Sequence, residues 1–213
     1  MAQRSCSVAL VPEDKTDART DAALIEQIAA GDREALGALV HRYWAPMFRY
    51  AERTSRNAST AEDALQDTFL AVLEHAHTFR GEGSARAWLY TLARNVVRKR
   101  FRKRADAPHE DDTETLESLG ASAGFGGGFG FVSALEDREE IQRTLSFLSE
   151  EDREILAVVD AEGLSIEEAS EALALSEAAV KSRLHRARLR FMAAMRRVEI
   201  QGAEAAHGPG GER

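Results

Sequence analysis

Residues 165–191 constrain the fold of this chain most, because they predict two short helices joined by a tight turn. Ser165 and Glu168 have the spacing of a capping box, which begins a helix. Residues 174–176 interrupt the helical pattern, and Ser176 can cap the helix that follows. Apolar residues then recur at spacings of four, three and four, as in a helix that faces a core: Val180, Leu184, Ala187 and Phe191. The segment has the pattern of a helix-turn-helix.

The second predicted helix has a polar, cationic outer face. At about 100° per residue, four side chains lie opposite the apolar stripe: Ala178, Ser182, His185 and Arg186. Four cations flank them: Lys181, Arg183, Arg188 and Arg190. A helix-turn-helix places the start of its second helix in the major groove and its flanking cations on phosphates. The segment therefore predicts binding to duplex DNA; the alternative is a helical hairpin with a solvated basic face.

The charge of the chain is unevenly distributed. The net charge is -8, which argues against strong attraction to bare DNA. However, residues 80–104 carry nine basic side chains against one acid, and residues 176–197 carry seven against one. Residues 105–140 between them carry ten acids against one arginine. Two basic regions separated by an acidic one suggest that something else delivers this protein to DNA.

The sequence argues against several classes of protein. Cys6 is the single cysteine, which excludes an internal disulfide and a cysteine-rich zinc site. No apolar run approaches a membrane span and the N-terminus lacks a signal-peptide core, so we expect a cytoplasmic protein without membrane insertion. Glu74, His75 and His77 could suggest a metal site, but residues two apart do not share a helix face. We expect no enzyme activity, cofactor or metal.

The apolar spacing predicts an all-α chain of two small helical domains. Residues 1–20 and 199–213 are polar and read as disordered ends. Helices are predicted over 21–104, with a kink or break at Pro46, and again over 135–198. Among their predicted starts are a cap at Asp21, a helix opened by Ser84, and a capping box of Ser149 and Asp152. Residues 105–134 are acidic and then rich in Gly and Phe, a composition that cannot bury a core, so they read as a flexible linker.

The basic end of the first domain also carries aromatic residues. Trp88 and Tyr90 stand beside Arg86, Arg94 and other cations, so they could stack on single-stranded nucleic acid while the cations neutralise it. A core position is the favoured interpretation for Trp88 itself. The strong basic bias of the region favours nucleic acid over a merely solvated face.

Three stretches in this order resemble the extracytoplasmic-function (ECF) class of bacterial RNA polymerase sigma factors. They are DALQDTFLAVLEH at 63–75, FRGEGSARAWLYTLARNVVRKRFRKR at 79–104, and residues 148–191, which contain the predicted helix-turn-helix. The resemblance implies that the first domain is sigma region 2 and the second is sigma region 4. It also implies core RNA polymerase, promoter DNA and an anti-sigma factor as partners.

The resemblance assigns roles to individual residues. The helix at 63–75 would dock on the β′ clamp helices of core polymerase, which also binds through its β subunit. Family positions there fall on Asp63, Gln66, Asp67, Phe69 and Leu70. The -10 element would be opened and held by Arg80, Ser84, Trp88, Arg94, Asn95, Arg98 and Lys99. The -35 element would be read by Ser176, Ala178, Lys181, Ser182, Arg183, His185, Arg186 and Arg188.

Two positions depart from the family pattern. Ala174 stands where relatives usually have glycine; because alanine is strained at positive φ, we expect a turn built differently. Ala179 stands where a hydroxyl residue is common, so the preference for a -35 sequence is open. The second hypothesis is a stand-alone helix-turn-helix repressor or activator. The acidic charge, the long linker and the 63–75 stretch count against that hypothesis.

Overall fold

The computed structural model describes residues 17–55, 58–101 and 138–206, and all regular structure within these ranges is helical. The N-terminal helices are α1 (Asp21–Ala29), α2 (Arg33–Ser55), α3 (Ala58–His75) and α4 (Ala85–Phe101), with one 3-10 turn (Ala76–Thr78) after α3. The C-terminal helices are α5 (Arg138–Ser146), α6 (Glu150–Leu156), α7 (Ile166–Leu173) and α8 (Glu177–Ala206), with a π-helical turn (Ala157–Ala161) after α6. The predicted linker lies outside the described residues, and α8 extends past the predicted domain end at residue 198.

The N-cap of helix α1 lies one residue before the predicted one. The Thr20 hydroxyl accepts from the Ala23 N–H at 3.2 Å, so Thr20 is the N-cap and the expectation of Asp21 in that role is wrong. The Asp21 carboxylate instead accepts hydrogen bonds from Arg42 and from the Tyr43 hydroxyl on α2. These contacts fasten the start of α1 to α2.

Helix α2 runs without a break through Pro46, contrary to one of the two predicted outcomes. Proline removes one backbone donor and disfavours the preceding turn. The residues around it are anchored by burial: Tyr43, Met47 and Tyr50 are 6%, 1% and 0% exposed. Tertiary packing of this face therefore outweighs the local cost of the proline.

In the C-terminal helices, acidic side chains hold the long helix α8 against α6. Ser149 caps α6 by accepting from the Asp152 N–H at 3.2 Å. The Asp152 carboxylate accepts from Arg190 on α8 at 2.9 Å instead of turning back to complete a capping box as predicted. Asp160, in the π turn, accepts from Arg188 on α8 at 2.5 and 3.0 Å.

The N-terminal and C-terminal helices share one continuous apolar core. Helix α4 packs against α7, and α2 packs against both α6 and the π turn. One side of α2 and α4, which includes Arg94 and Arg98 of the basic region, is therefore covered by the C-terminal helices. This arrangement decides which of the predicted functional residues reach solvent.

Candidate nucleic-acid interface

The turn into α4 is built by a glycine and a capping serine. Ser84 accepts from the Ala87 N–H at 3.3 Å, which confirms the predicted start of this helix. Its hydroxyl also donates to Glu168 at 2.8 Å, and its N–H donates to Glu171 at 3.2 Å; both glutamates lie on α7. Gly83 has φ +78°, and a Cβ there would lie 2.8 Å from a Glu171 oxygen. The positive φ favours glycine at this position, whereas the Glu171 carboxylate ends a flexible side chain that could shift to admit a Cβ.

Two predicted -10 arginines bind a carboxylate of the C-terminal helices. Arg94 donates to Glu154 on α6 at 3.0 Å, and Arg98 donates to both oxygens of the same carboxylate at 3.2 and 3.1 Å. The Glu154 side chain is only 4% exposed, and that of Arg94 14%. Burial raises the pKa of Glu154 although both guanidinium groups act to lower it. The desolvation of this carboxylate is therefore not fully offset by its partners.

A second buried carboxylate, Glu162, follows the π turn and faces α2. Arg49 donates to it at 3.0 and 3.3 Å, and Arg53 at 2.9 Å. The Tyr90 hydroxyl lies 3.4 Å from the same carboxylate, and Arg86 donates to the Glu162 carbonyl oxygen. Arg49 and Arg53 were absent from the predicted site. On sequence alone they resemble the solvated cations of any amphipathic helix.

The aromatic residues of α4 are less available than the stacking hypothesis requires. Tyr90 is 1% exposed and packs edge-on against Tyr50, with ring centroids 5.5 Å apart. The expectation that Tyr90 could stack on a base is therefore wrong in this conformation. Trp88 is half-buried and packs on Phe79 at 5.6 Å, in agreement with the favoured core position. Three other predicted -10 residues are exposed: Arg80, Asn95 and Lys99.

Helix α3 presents acids and leucines together. Asp63 and Asp67 accept from Arg100 on α4 at 3.1 and 2.7 Å, and Gln66 is exposed. Leu70 and Leu73 lie on the apolar side of the predicted helix but are 57% and 50% exposed. Phe69 is 8% exposed and stacks parallel to Trp44, with centroids 6.2 Å apart. Phe69 thus supports this surface from beneath rather than forming part of it.

The helix-turn-helix is formed as predicted, except in its turn. Ser165 and Glu168 make a complete capping box, and Ser176 caps α8 by accepting from the Ala179 N–H at 3.2 Å. Ala174 adopts the left-handed conformation with φ 54° and ψ 46°. The expectation of a differently built turn is wrong, because alanine accepts the strain that glycine would avoid. The predicted core stripe is confirmed, since its four residues are at most 5% exposed: Val180, Leu184, Ala187 and Phe191.

The predicted -35 residues of α8 divide into an exposed set and a paired set. The exposed set comprises Ser176, Ala178, Lys181, Ser182, His185 and Arg186. Lys181 also lies 3.3 Å from Glu177 one turn earlier. Arg183 pairs with Glu151 at 3.4 Å, and Arg188 pairs with the buried Asp160. The paired arginines therefore hold α8 to its own domain.

Metal and membrane hypotheses find no support within the described ranges. No group of three or more His, Cys, Asp or Glu side chains there is arranged to hold a metal ion. His75 and His77 are both exposed. None of the helices in those ranges is long and apolar enough to span a membrane.

Sequence comparisons match both halves of the chain. The Sigma-70 region 2 family matches residues 39–106, and the Sigma-70 region 4 family matches residues 138–191. The ECF RNA polymerase sigma factor SigM of Mycobacterium tuberculosis is 34% identical over 173 residues, which cover 81% of this chain and 83% of SigM. The RNA polymerase sigma factor YlaC of Bacillus subtilis is 30% identical, over 74% of this chain and 90% of YlaC.

This chain belongs to the ECF sigma factors. Solved structures agree with the fold of this sigma factor. CnrH, in complex with the cytosolic domain of CnrY, is 27% identical with a TM-score of 0.61, over 81% of this chain and 95% of CnrH. The sigma factor RpoE of Bartonella quintana, in complex with the anti-sigma factor NepR, has a TM-score of 0.54 at 23% identity, over 74% of this chain and 96% of RpoE.

As an ECF sigma factor, the protein binds core RNA polymerase and directs transcription initiation at promoters. The main sequence-based hypothesis is therefore confirmed over the stand-alone repressor or activator. The predicted all-α fold with a sigma region 2 and a sigma region 4 is also confirmed. The domain boundaries and the individual contact residues stay predictions.

Proposed function

We propose that the N-terminal helices of this sigma factor hold the melted -10 strand, while α8 reads the -35 duplex. The strand-binding residues are Arg80, Ser84, Trp88, Arg94, Asn95, Arg98 and Lys99. The proposal is supported by the placement of cations along one helix, α4, beside a glycine-bearing turn. A backbone of phosphates needs such a cationic track, and a flipped base needs a pocket at its edge.

The observation that carries the -35 assignment is the geometry of the helix-turn-helix. Ala174 and the Ser176 cap fix where α8 begins, so Ala178, Lys181 and Ser182 are exposed on its first turns. The start of the second helix is the part that enters a major groove. His185 and Arg186 continue the same face, where Arg186 can donate to a guanine edge or to a phosphate. Arg183 and Arg188 would act at the rim, since both already pair with acids of their own domain.

The polymerase-docking surface proposed on α3 combines charge with exposed apolar area. Asp63, Gln66 and Asp67 suit a basic partner helix. Leu70 adds an exposed apolar side chain of the kind that becomes buried at a protein interface. Phe69 contributes by holding Trp44, which is itself 45% exposed. We propose that this surface meets the β′ clamp helices of core polymerase.

The proposed function includes no catalysis by this chain itself. Chemistry belongs to the polymerase, and the sigma factor contributes binding and strand separation. Control by an anti-sigma factor is part of the same proposal, and the RpoE complex named above supports it.

Run-off transcription with core polymerase on a library of promoter fragments tests the proposal. We expect initiation from a defined subset with shared -35 and -10 elements. Native gels on the same fragments should show a shift of promoter DNA only when polymerase is present. A shift of duplex by this chain alone, together with no specific initiation, would contradict the proposal and favour a repressor.

A further inference from the structure

The surface of the N-terminal helices that lies beneath the C-terminal helices is rich in arginine. Five arginines from α2 and α4 contact residues of the C-terminal helices there: Arg49, Arg53, Arg86, Arg94 and Arg98. Ion pairs across this surface run in one direction, with arginine from the N-terminal helices and glutamate from the C-terminal helices. The C-terminal helices therefore present an anionic surface to a cationic one.

Two buried glutamates dominate the anionic side. Glu154 and Glu162 are 4% and 2% exposed, and each receives at least two guanidinium groups at about 3 Å. Their oxygens lie where guanidinium groups donate hydrogen bonds to an oxyanion, and a phosphate satisfies the same geometry. Each glutamate thus occupies a pair of arginines as a backbone phosphate would.

The two arginine pairs differ in what the proposed function already assigns to them. Arg94 and Arg98, which hold Glu154, belong to the proposed -10 strand site. Arg49 and Arg53, which hold Glu162, have no assigned partner other than this carboxylate. Tyr90, on the same helix as Arg94 and Arg98, lies 3.4 Å from the Glu162 carboxylate, so both arginine pairs border one surface. Separation of the domains would leave four guanidinium groups without their carboxylates.

We propose that this covered surface is the strand-binding surface of the sigma factor, that Arg49 and Arg53 extend it, and that Glu154 and Glu162 occupy it in the free protein. The inference rests on the proposed function, which places the -10 strand on Arg94 and Arg98. It adds a further pair of strand contacts on α2 and an intramolecular occupant of the whole site. Strand binding then requires that the C-terminal helices move away.

Two other buried carboxylates pair with arginines within the C-terminal helices and provide a contrast. Asp152 and Asp160 are also 4% exposed and also pair with arginines, but with Arg190 and Arg188 of their own domain. Those pairs persist whether or not the domains separate. The pairs of Glu154 and Glu162 instead join the two domains, and they are the most deeply buried of the ion pairs that do so.

The test uses the full-length chain with Glu154→Lys and Glu162→Lys together. Like charges would then face each other across the surface, which disfavours the closed arrangement. We expect the radius of gyration from small-angle X-ray scattering to increase. We also expect the variant to bind a fluorescein-labelled single-stranded DNA of random sequence about tenfold or more tightly without polymerase, since apparent affinity scales with the fraction of competent protein.

A matched control separates opening from added charge. Glu167→Lys with Glu199→Lys makes the same change in net charge at two exposed glutamates of the C-terminal helices. This control should stay compact and gain at most about twofold in strand affinity. Adding Arg49→Ala and Arg53→Ala to the opened variant should remove most of its gain while the protein stays expanded.

Three results would overturn the inference: an unchanged radius of gyration, an expanded protein without a gain in strand affinity, or a gain that survives loss of Arg49 and Arg53. If the double variant loses its helical circular dichroism, Glu162→Lys alone is measured by the same two readouts. Polymerase-dependent initiation by the wild type is scored separately. A wild type that initiates normally while the opened variant gains nothing refutes this inference and leaves the proposed function intact.

Discussion

The two basic regions of this sigma factor have similar composition, but their arginines are neutralised in different ways. On α4, Arg94 and Arg98 are paired with Glu154 of the other domain, and the surface around them is covered. On α8, Lys181 and Arg186 are exposed, and the arginines that are paired find their acids within the same domain. Neutralisation is therefore between domains in one region and local in the other.

This difference shows that composition alone does not tell when a basic surface is available. The α8 surface can meet duplex DNA whatever the domains do. On the proposal made above, the α4 surface meets a strand only after domain separation. The proposed docking surface on α3, with Leu70 and Leu73 exposed, resembles α8 in accessibility. On this proposal polymerase could engage it before the domains part.

The strongest challenge to this comparison is charge reversal at the covered surface. Arg94→Glu with Arg98→Glu removes two proposed strand contacts and places acids against Glu154. With each contact worth about 1 to 3 kcal/mol, run-off transcription with core polymerase should fall by about a hundredfold or more. Arg33→Glu with Arg196→Glu changes the same charge at exposed positions and should retain most activity. Equal loss of transcription in both variants would show that the change in net charge alone causes the effect.

Substitution of the α3 leucines tests the proposed polymerase-docking surface, which is exposed in the closed protein. Leu70→Asp with Leu73→Asp should weaken binding to core polymerase by about tenfold to a hundredfold, as loss of buried interface side chains does. Fluorescence anisotropy of a labelled sigma factor gives the affinity. Because both leucines are about half exposed, the melting temperature should change little. Ile200→Asp alters another exposed apolar residue, 59% exposed on α8, and serves as the control; an equal loss there would refute the α3 assignment.

Charge reversal on the exposed region should act more mildly. Lys181→Glu with Arg186→Glu removes cations from the start of α8, and promoter binding by the holoenzyme should weaken by about tenfold. The loss should shrink as salt concentration rises. Filter binding of holoenzyme to promoter fragments measures it. If this pair costs more than the Arg94 and Arg98 pair, the proposed division between the two regions is wrong.

The raised pKa of Glu154 makes the closed arrangement dependent on pH. The carboxylate faces Arg94, Arg98, Glu150 and Tyr50, and burial outweighs the arginines. Burial of the charged carboxylate therefore opposes closure most at high pH. Protonation removes this cost as the pH falls through the raised pKa of Glu154. Between about pH 7 and about pH 5 the closed fraction should rise, by at most about tenfold in equilibrium constant per pH unit for one proton.

Glu154→Gln provides the control for this pH dependence, because the amide cannot titrate. Its radius of gyration should respond less to pH than that of the wild type. The measurement should stay above about pH 5 because Glu168 contributes to closure with the opposite sign at lower pH. Desolvation raises the pKa of Glu168, but hydrogen bonds from Ser165 and Ser84 outweigh it, so the net shift of that pKa is downward. Identical dependence of the radius of gyration on pH in the two proteins would show that Glu154 does not cause the pH response.

The smallest expected effect concerns the turn that positions α8. Ala174 has φ 54°, where glycine is less strained, so Ala174→Gly should raise the free energy of unfolding by about 0.5 to 1 kcal/mol. Ala178→Gly, in the helical part of α8, should lower it by a similar amount. Chemical denaturation measures both. Destabilisation by Ala174→Gly would show that the alanine methyl group contributes more than the strain costs.

Local sequence signals predicted the helix-turn-helix well, for a physical reason. The Ser165 and Glu168 capping box, the Ser176 cap and the apolar stripe all depend on residues three or four apart. The conformation of Ala174 was predicted wrongly. The cost of positive φ was known, but the packing of α7 against α8 that imposes it is not written in the neighbouring residues.

The covered surface could not have been predicted in the same way. Glu154 and Glu162 look like ordinary acids of an amphipathic helix, and Arg49 and Arg53 look like ordinary cations of another. Glu162 pairs with Arg49 and Arg53 at separations of 113 and 109 residues, and charge patterning along the chain does not encode such pairs. Glu154 pairs with Arg94 and Arg98 at separations of 60 and 56 residues. The burial of Tyr90 was missed for the same reason.

The buried pairs at Glu154 and Glu162 also bear on how this protein responds to its own abundance. A separate inhibitor loses its hold when the two proteins are diluted or when one is made in excess. An occupant carried on the same chain acts at a fixed local concentration set by the tether. In the proposed closed state, every copy of the sigma factor therefore carries its own occupant in a one-to-one ratio. Synthesis of more protein would raise the number of closed molecules without changing the fraction that is open.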